Sequence, residues 1–343
     1  MSINLRKRAA LSFAAVVGLS VLAAACSQPK PPPPKPVAPP VALAPSVLDQ
    51  AGGYYAYVKQ AGAISPKFAN GGDVAQSLKA GAAYEPRQFL RGAIAYGAVA
   101  ALQDPTYVAG IRKYASDPQQ RRDMAAQILR NPHYVTSLPG ADSAAALVVA
   151  ALANEGERLY ANGKAVKQAA YDVQHQAWSK AEVANRAGRL AEAKALSAAP
   201  RGATSAELNL LGLAVTGATP LGLSGRSAPG AQSPVVVRSL AVAALAALGE
   251  AGEPAVDNIN ALMVDPASTT CLNMSKLNLY QCLAVSKPHY EDVFCLGQHV
   301  LIDTGQCLIR SAGLPPPEPY KPVKIAETDP PAKPAAKPAK KKR

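Results

Sequence analysis

The sequence predicts an all-α body, an alanine-rich helical bundle with one long helix, a disulfide-stapled C-terminal helical hairpin and disordered Pro/Lys-rich termini. Three observations carry this expectation. Apolar residues recur at helical spacing between acid–proline pairs that suit helix starts. Only 5% of the 343 residues are aromatic. Alanine supplies much of the remaining apolar surface, and because it fills little space, helices built from it must approach closely to exclude water.

Along the body, residues 51–70 leave the local structure open, with Tyr54, Tyr55 and Tyr57 in a glycine-flanked run. Punctuation then becomes regular. Glu85-Pro86, Asp104-Pro105 and Asp117-Pro118 each place proline at a first helical position, and the two aspartates are good caps. Between them Phe89, Leu90, Ile94, Ala98, Ala101 and Leu102 follow helical spacing, as do Met124, Ile128 and Leu129. Asn131-Pro132 and Leu138-Pro139-Gly140 break the chain.

The proline-free stretch from Ala141 to about Ser197 predicts a long helix, with Asp142 and Ser143 as cap candidates. Leu152, Leu159, Val166 and Val173 recur at seven-residue steps, each followed four residues later by Gly156, Gly163, Ala170 or Ala177. Large residues alternating with small ones let a partner helix come near. The stripe suits either a core face within the chain or a seam between chains, and the two glycines make a kink conceivable. Residues 216–233 form a Gly/Pro-rich loop. Its Gly217–Gly222 spacing fails as a phosphate-binding loop because Leu223 replaces lysine, and Gly222-Leu223-Ser224 fails as a nucleophile elbow because Arg226 replaces the closing glycine. From Val235 to Leu248 the chain is apolar enough for a buried helix and too short to span a membrane.

Cys271, Cys282, Cys295 and Cys307 form an even cluster, which in an oxidising compartment reads as two disulfides. Zinc fits poorly, since no close C-x₂-C pair occurs, and no cofactor is implied. Helices from Ser275 to Val285 and from about Tyr290 to Ile309, broken by Lys287-Pro288, would form an antiparallel hairpin. Nested bonds, Cys282–Cys295 and Cys271–Cys307, would staple it at both ends. Sequential bonds, Cys271–Cys282 and Cys295–Cys307, are the alternative. The nested plan resembles the twin cysteine-pair helical hairpins in architecture, though not in spacing.

The N-terminus has the layout of an export signal. Arg6, Lys7 and Arg8 precede an uncharged run from Ala9 to Ala25, and Pro29 and Pro31–Pro34 follow at once. Leu22-Ala23-Ala24-Ala25-Cys26 resembles the lipobox of bacterial lipoprotein precursors. That resemblance implies cleavage before Cys26, lipidation of its thiol and, from Ser27 rather than Asp, sorting to the outer membrane with the body facing the periplasm. Ala23-x-Ala25 would equally suit ordinary signal peptidase and release of a soluble protein. The expected organisation is a signal peptide (1–25), a lipidated cysteine and Pro-rich spacer (26–46), a helical domain (47–215), a loop (216–233), a helical region with four cysteines (234–313) and a basic tail (314–343).

The formal net charge is +13, yet from residue 314 onward eight Lys/Arg face three acids, and three more cations lie in the signal peptide. The body is nearly balanced, which excludes a nucleic-acid reading. Of 31 prolines, nine lie in 29–45 and nine in 315–338, too many for a packed core. Lys333, Lys337, Lys340, Lys341, Lys342 and Arg343 make a polycation. It suits either plain solvation or salt-sensitive attachment to an anionic envelope polymer such as lipid-A phosphates or peptidoglycan carboxylates.

Four histidines offer little chemistry. His299 with Asp303 can pair along a helix and His289 with Asp292 across a turn, and surface or capping bonds explain both as well as catalysis does. No catalytic residue is assigned. The expected role is a non-catalytic scaffold, adaptor or accessory subunit of an envelope assembly, with a cell-wall (peptidoglycan) hydrolase or a membrane-to-wall tether as alternatives.

Overall fold

The computed structural model describes residues 37–321. Cys26, the preceding signal and Lys333–Arg343 lie outside the described residues. Within them the chain is all-α: α1 (Pro45–Gly62), α2 (Gly71–Ala82), α3 (Pro86–Ala101), α4 (Pro105–Arg112), α5 (Pro118–Arg130), a 3₁₀ turn (Pro132–Ser137), α6 (Ala141–Val173), α7 (Ala177–Lys180), α8 (Arg186–Ala198), α9 (Ser205–Val215), α10 (Pro234–Leu248), α11 (Val256–Leu262), α12 (Pro266–Val285), α13 (His289–Cys295), a π-helical segment (Leu296–Ile302) and α14 (Asp303–Ser311). The only bridge-type pairing among the described residues joins Glu182 to Pro288.

The acid–proline starts act as expected. Asp104 accepts from the Tyr107 amide at 2.7 Å, and the Asp117 carboxylate takes the Gln119 and Gln120 amides at 2.8 and 2.9 Å. Glu85 caps α3 in the same way, with the Gln88 amide at 2.7 Å. α6 starts differently. Gly140, at φ 79°, precedes it without a side-chain cap, because a Cβ there would lie 2.4 Å from the Tyr107 amide nitrogen. Asp142 sits in the first turn of α6 rather than at its cap, where its charge suits the helix dipole, and Ser143 Oγ donates back to the Gly140 carbonyl.

α6 ends at Val173 and does not continue to Ser197. Ser179 Oγ turns back to donate to the Val173 and Gln176 carbonyls, offering the backbone an alternative to the helix. Residues 181–183 then run alongside 287–289, with Val183 N donating to Lys287 O at 2.9 Å. Asn185 caps α8 by accepting from Gly188 N at 2.9 Å.

The large–small stripe faces the core. Leu152, Leu159, Val166 and Val173 are buried, and Gly156 and Gly163 meet α14 and the π segment. A Cβ on Gly156 would lie 2.8 Å from the Gly305 carbonyl oxygen, and one on Gly163 would lie 2.7 Å from Ile302 N. Gly297 supplies a third rung: a Cβ there would lie 2.5 Å from Lys167 N. The stripe is therefore an internal backbone-to-backbone seam, not one between chains. Ala177 falls outside it, exposed beyond the end of α6.

α3 and α10 form the centre, nearly all their residues buried. They close to contact where Gly97 faces Ser239. One core cluster spans α1 to α14, so the loop 216–233 joins two parts of a shared core. Its Arg226 amide donates to the Ala146 carbonyl at 2.9 Å. The tyrosines that sequence left open belong to α1. Tyr54 and Tyr57 pack with Tyr84 and Phe89 at centroid separations from 4.7 to 5.2 Å, a local aromatic cluster in an otherwise aliphatic core.

Both ends of the described chain lie on the body. Ala44 N donates to Ala251 O at 2.8 Å and Arg112 to Pro39 O at 2.9 Å, so the last residues of the expected spacer are packed. In residues 314–321, Leu314 is buried and Pro317 and Tyr320 are half-buried, the rest exposed. Tyr160 donates to the Glu318 carbonyl, and Tyr320 OH donates to Gln168 Oε1 at 2.7 Å. The Tyr320 ring is what this mostly exposed stretch lays against α6.

Candidate functional site on the stapled hairpin

α12 and the run from α13 to α14 form the antiparallel hairpin, and the disulfides are nested: Cys282–Cys295 near the turn and Cys271–Cys307 at the open end, each with Cα atoms 5.7 Å apart. The sequential pairing does not occur. The spacing of the four cysteines explains a local irregularity. On α12 they are 11 apart, close to three turns. On the opposite arm of the hairpin they are 12 apart, which in a regular helix would turn Cys307 about 120° off the face of Cys295. The π-helical segment Leu296–Ile302 lies between them, and such an insertion absorbs one residue. Both cysteines thereby return to one face.

Polar groups gather beside this segment. Ser275 Oγ donates to the His299 carbonyl at 2.6 Å and lies 3.0 Å from Thr304 Oγ1, which is 2.9 Å from Tyr84 OH. Beside them Lys276 is only 4% exposed. Its Nζ donates to the Ala82 carbonyl at 2.7 Å, at the C-terminal end of α2 where a cation is favoured, and sits 3.4 Å from the Tyr84 ring centroid. Burial pushes the Lys276 amine well below its ordinary pKa and raises Tyr84 to about 12.

His299 Nδ1 and Asp303 Oδ2 are 2.8 Å apart. Gln298 donates to the other Asp303 oxygen at 2.8 Å, and Lys167 to Gln298 at 2.6 Å. Serine, histidine and aspartate thus share this region, but Ser275 bonds the histidine backbone and not its ring, which is not the geometry of a nucleophilic relay. The neighbouring hollow of about 400 Å³ is lined by Ser275, Asp303, Met274 and the outer disulfide, without His299. His289 and Asp292 form no hydrogen bond with each other among the described residues. Asp292 is instead held by Arg189 and by Ser286 Oγ at 2.8 Å. Burial raises its pKa despite the guanidinium.

Lys276 is the sole charged residue of α12, and it points inward. The outward face, through Thr270, Asn273, Met274, Leu277, Gln281 and Val285, carries no charge over a helix about 30 Å long. Met274, Leu277 and Val285 are 46%, 44% and 74% exposed. Next to Val285, a hollow of about 370 Å³ lined by Tyr171, Tyr290 and Phe294 opens over the inner disulfide. The inward lysine was visible in sequence: Leu272, Lys276, Leu279 and Leu283 share one helical stripe.

Among the described residues no helix is long and apolar enough to cross a membrane, and no group of three or more His, Cys, Asp or Glu side chains is placed to hold a metal ion. Comparison of the chain with family models, with curated proteins and with solved structures finds no match.

Proposed function

We propose that the protein is an envelope lipoprotein, held to the outer membrane by acyl chains on Cys26, whose body acts as a non-catalytic adaptor. The observation that supports this role is the uncharged outer face of α12, fixed in place by two disulfides. Polar residues normally cover the outside of such a helix. A face that omits charge while presenting Met274, Leu277 and Val285 suits an apolar, uncharged patch on another envelope protein. The N-terminal lipobox-like segment supports the location, and oxidised cysteines are compatible with it.

The test is a photo-crosslinking residue placed at Leu277 in intact cells, with mass spectrometry of the adducts. The expected result is one recurrent envelope protein, lost when Met274→Asp is added. Adducts to many unrelated proteins, unchanged by Met274→Asp, would end the adaptor reading. Separately, Cys26→Ala is expected to leave the protein exported and unlipidated, and normal acyl labelling of that variant would refute the anchor.

A tether between membrane and wall is the second reading, favoured by where the chain meets the body. Val148 of α6 lies beside Gly97 in α3. Farther on, Asn162 of α6 donates to Ala61 and Ile64 at the end of α1. The described chain therefore enters against Ala251, through the Ala44 amide, and leaves beside Gln168 of α6, through Tyr320. Peptidoglycan pull-down at low and high salt tests this reading. Binding that salt weakens, and that removal of residues 322–343 abolishes, is expected; equal binding by both chains would exclude the tail.

A further inference from the structure

A cleft of about 520 Å³ opens between α2, α8 and the beginning of α13. Leu78, Val183, Leu196 and Leu283 make its walls apolar, and Asn185, Arg189 and His289 converge on it. Its volume lies within the ~300–1,000 Å³ usual for small-molecule sites, and its make-up follows their pattern of apolar walls with a few placed polar groups.

The polar groups have a bias. Both carboxylates are committed: Asp292 to Arg189 and Ser286, and Glu192 to Lys79 at 2.8 Å. The groups left over are donors. Arg189, its side chain 10% exposed, already gives its terminal nitrogens to Asp292 and to the Leu283 and Ser286 carbonyls, and its buried Nε–H has no acceptor. The His289 ring, 6.4 Å from that of Trp178, makes no hydrogen bond among the described residues. Asn185 spends its oxygen on Gly188 N, which leaves its NH₂ to donate, and the start of α8 adds a partial positive charge. Because Asp292 already balances the Arg189 charge, these donors suit one negative charge and not two.

We infer that this cleft binds an amphipathic monocarboxylate, its apolar body against the leucine walls and its carboxylate at the Asn185–Arg189–His289 end. The inference goes beyond the adaptor role and does not depend on it. Trp178 is the chain's single tryptophan and neighbours His289, so its emission reports occupancy. The full, disulfide-bonded protein is titrated with dodecanoate, dodecanol and dodecyltrimethylammonium, with calorimetry alongside. Dodecanoate is expected to give a saturable change with a Kd below about 1 mM, roughly tenfold tighter than dodecanol, and the ammonium no saturable change. Ala75→Phe, which fills the cleft from the exposed side of α2, should weaken dodecanoate about tenfold. Asn185→Asp keeps a helix cap but places a negative charge at the donor end, and should abolish the preference for dodecanoate while leaving dodecanol binding unchanged. Thermal unfolding checks that both variants fold. Three results would each overturn the inference: no saturable response by either method, equal affinity of the unmodified protein for dodecanoate and dodecanol, or unchanged dodecanoate binding in folded Ala75→Phe.

Discussion

α10 and α12 are both long helices with a single charged residue, and they place it oppositely. In α10 nearly every side chain is buried, and Arg238 reaches toward the surface, where it donates to the Leu262 carbonyl at 2.8 Å. In α12 one face looks at solvent, yet Lys276 is turned inward and Met274, Leu277 and Val285 outward. Helix α10 is held by burial all round. Helix α12 lacks the amphipathic division that would orient it by itself, and two disulfides hold it instead. Similar composition therefore has two meanings: core in one helix, an uncovered face in the other.

The largest contrast is expected from one carboxylate introduced into each helix. Leu240→Asp buries a charge with no partner and should cost about 5 kcal/mol or prevent folding, whereas Met274→Asp should change stability by no more than ~0.5 kcal/mol. Denaturant titration measures both, and a comparable loss in the two would erase the distinction. Next come the staples. Replacing Cys271 and Cys307 by serine should cost about 4 kcal/mol and replacing Cys282 and Cys295 about 3 kcal/mol, because the outer bond closes the longer loop. A larger loss from the inner pair would show that strain or local packing outweighs chain entropy.

At the glycine seam, Gly163→Leu is expected to cost about 3 kcal/mol by forcing α6 off Ile302, and circular dichroism melting would register it. The smallest effect concerns pH. With its folded pKa lowered by burial, Lys276 holds fewer protons in the folded than in the unfolded chain. Stability should therefore rise with pH from the lowered value toward ~10.4, the unfolded reference. Lys276→Met should flatten that rise below pH ~10.4. A slope identical to that of the unmodified protein would mean that Lys276 stays charged without cost.

Local chemistry made much of this legible. Acid–proline pairs marked α3, α4 and α5 because cap and ring act within one turn. The seven-residue stripe marked a close seam because small side chains have few other uses at that spacing, although sequence left open whether its partner was another chain. Cysteine order within a hairpin allowed the nested pairing. The end of α6 at Val173 was missed: Ser179 and Asn185 are weak signals alone and gain force only through residues 287–289, more than a hundred positions away. The tyrosine cluster was missed for a similar reason, since Tyr84 and Phe89 join Tyr54 and Tyr57 only after α1 and α3 meet. Arg189 and its cleft depend on three distant segments and leave no local trace.

The π-helical segment separates two jobs that the hairpin otherwise combines. Deleting one residue within 296–302 would shorten the cysteine interval to the 11 of α12, so an ordinary helix would still bring both thiols to their partners. What would shift is the His299 carbonyl, and with it the acceptor that Ser275 uses at 2.6 Å. The extra residue therefore bears on the polar contacts beneath α12 as well as on the crosslinks, and a chain lacking it would keep its covalent frame while the Ser275 hydrogen bond is displaced.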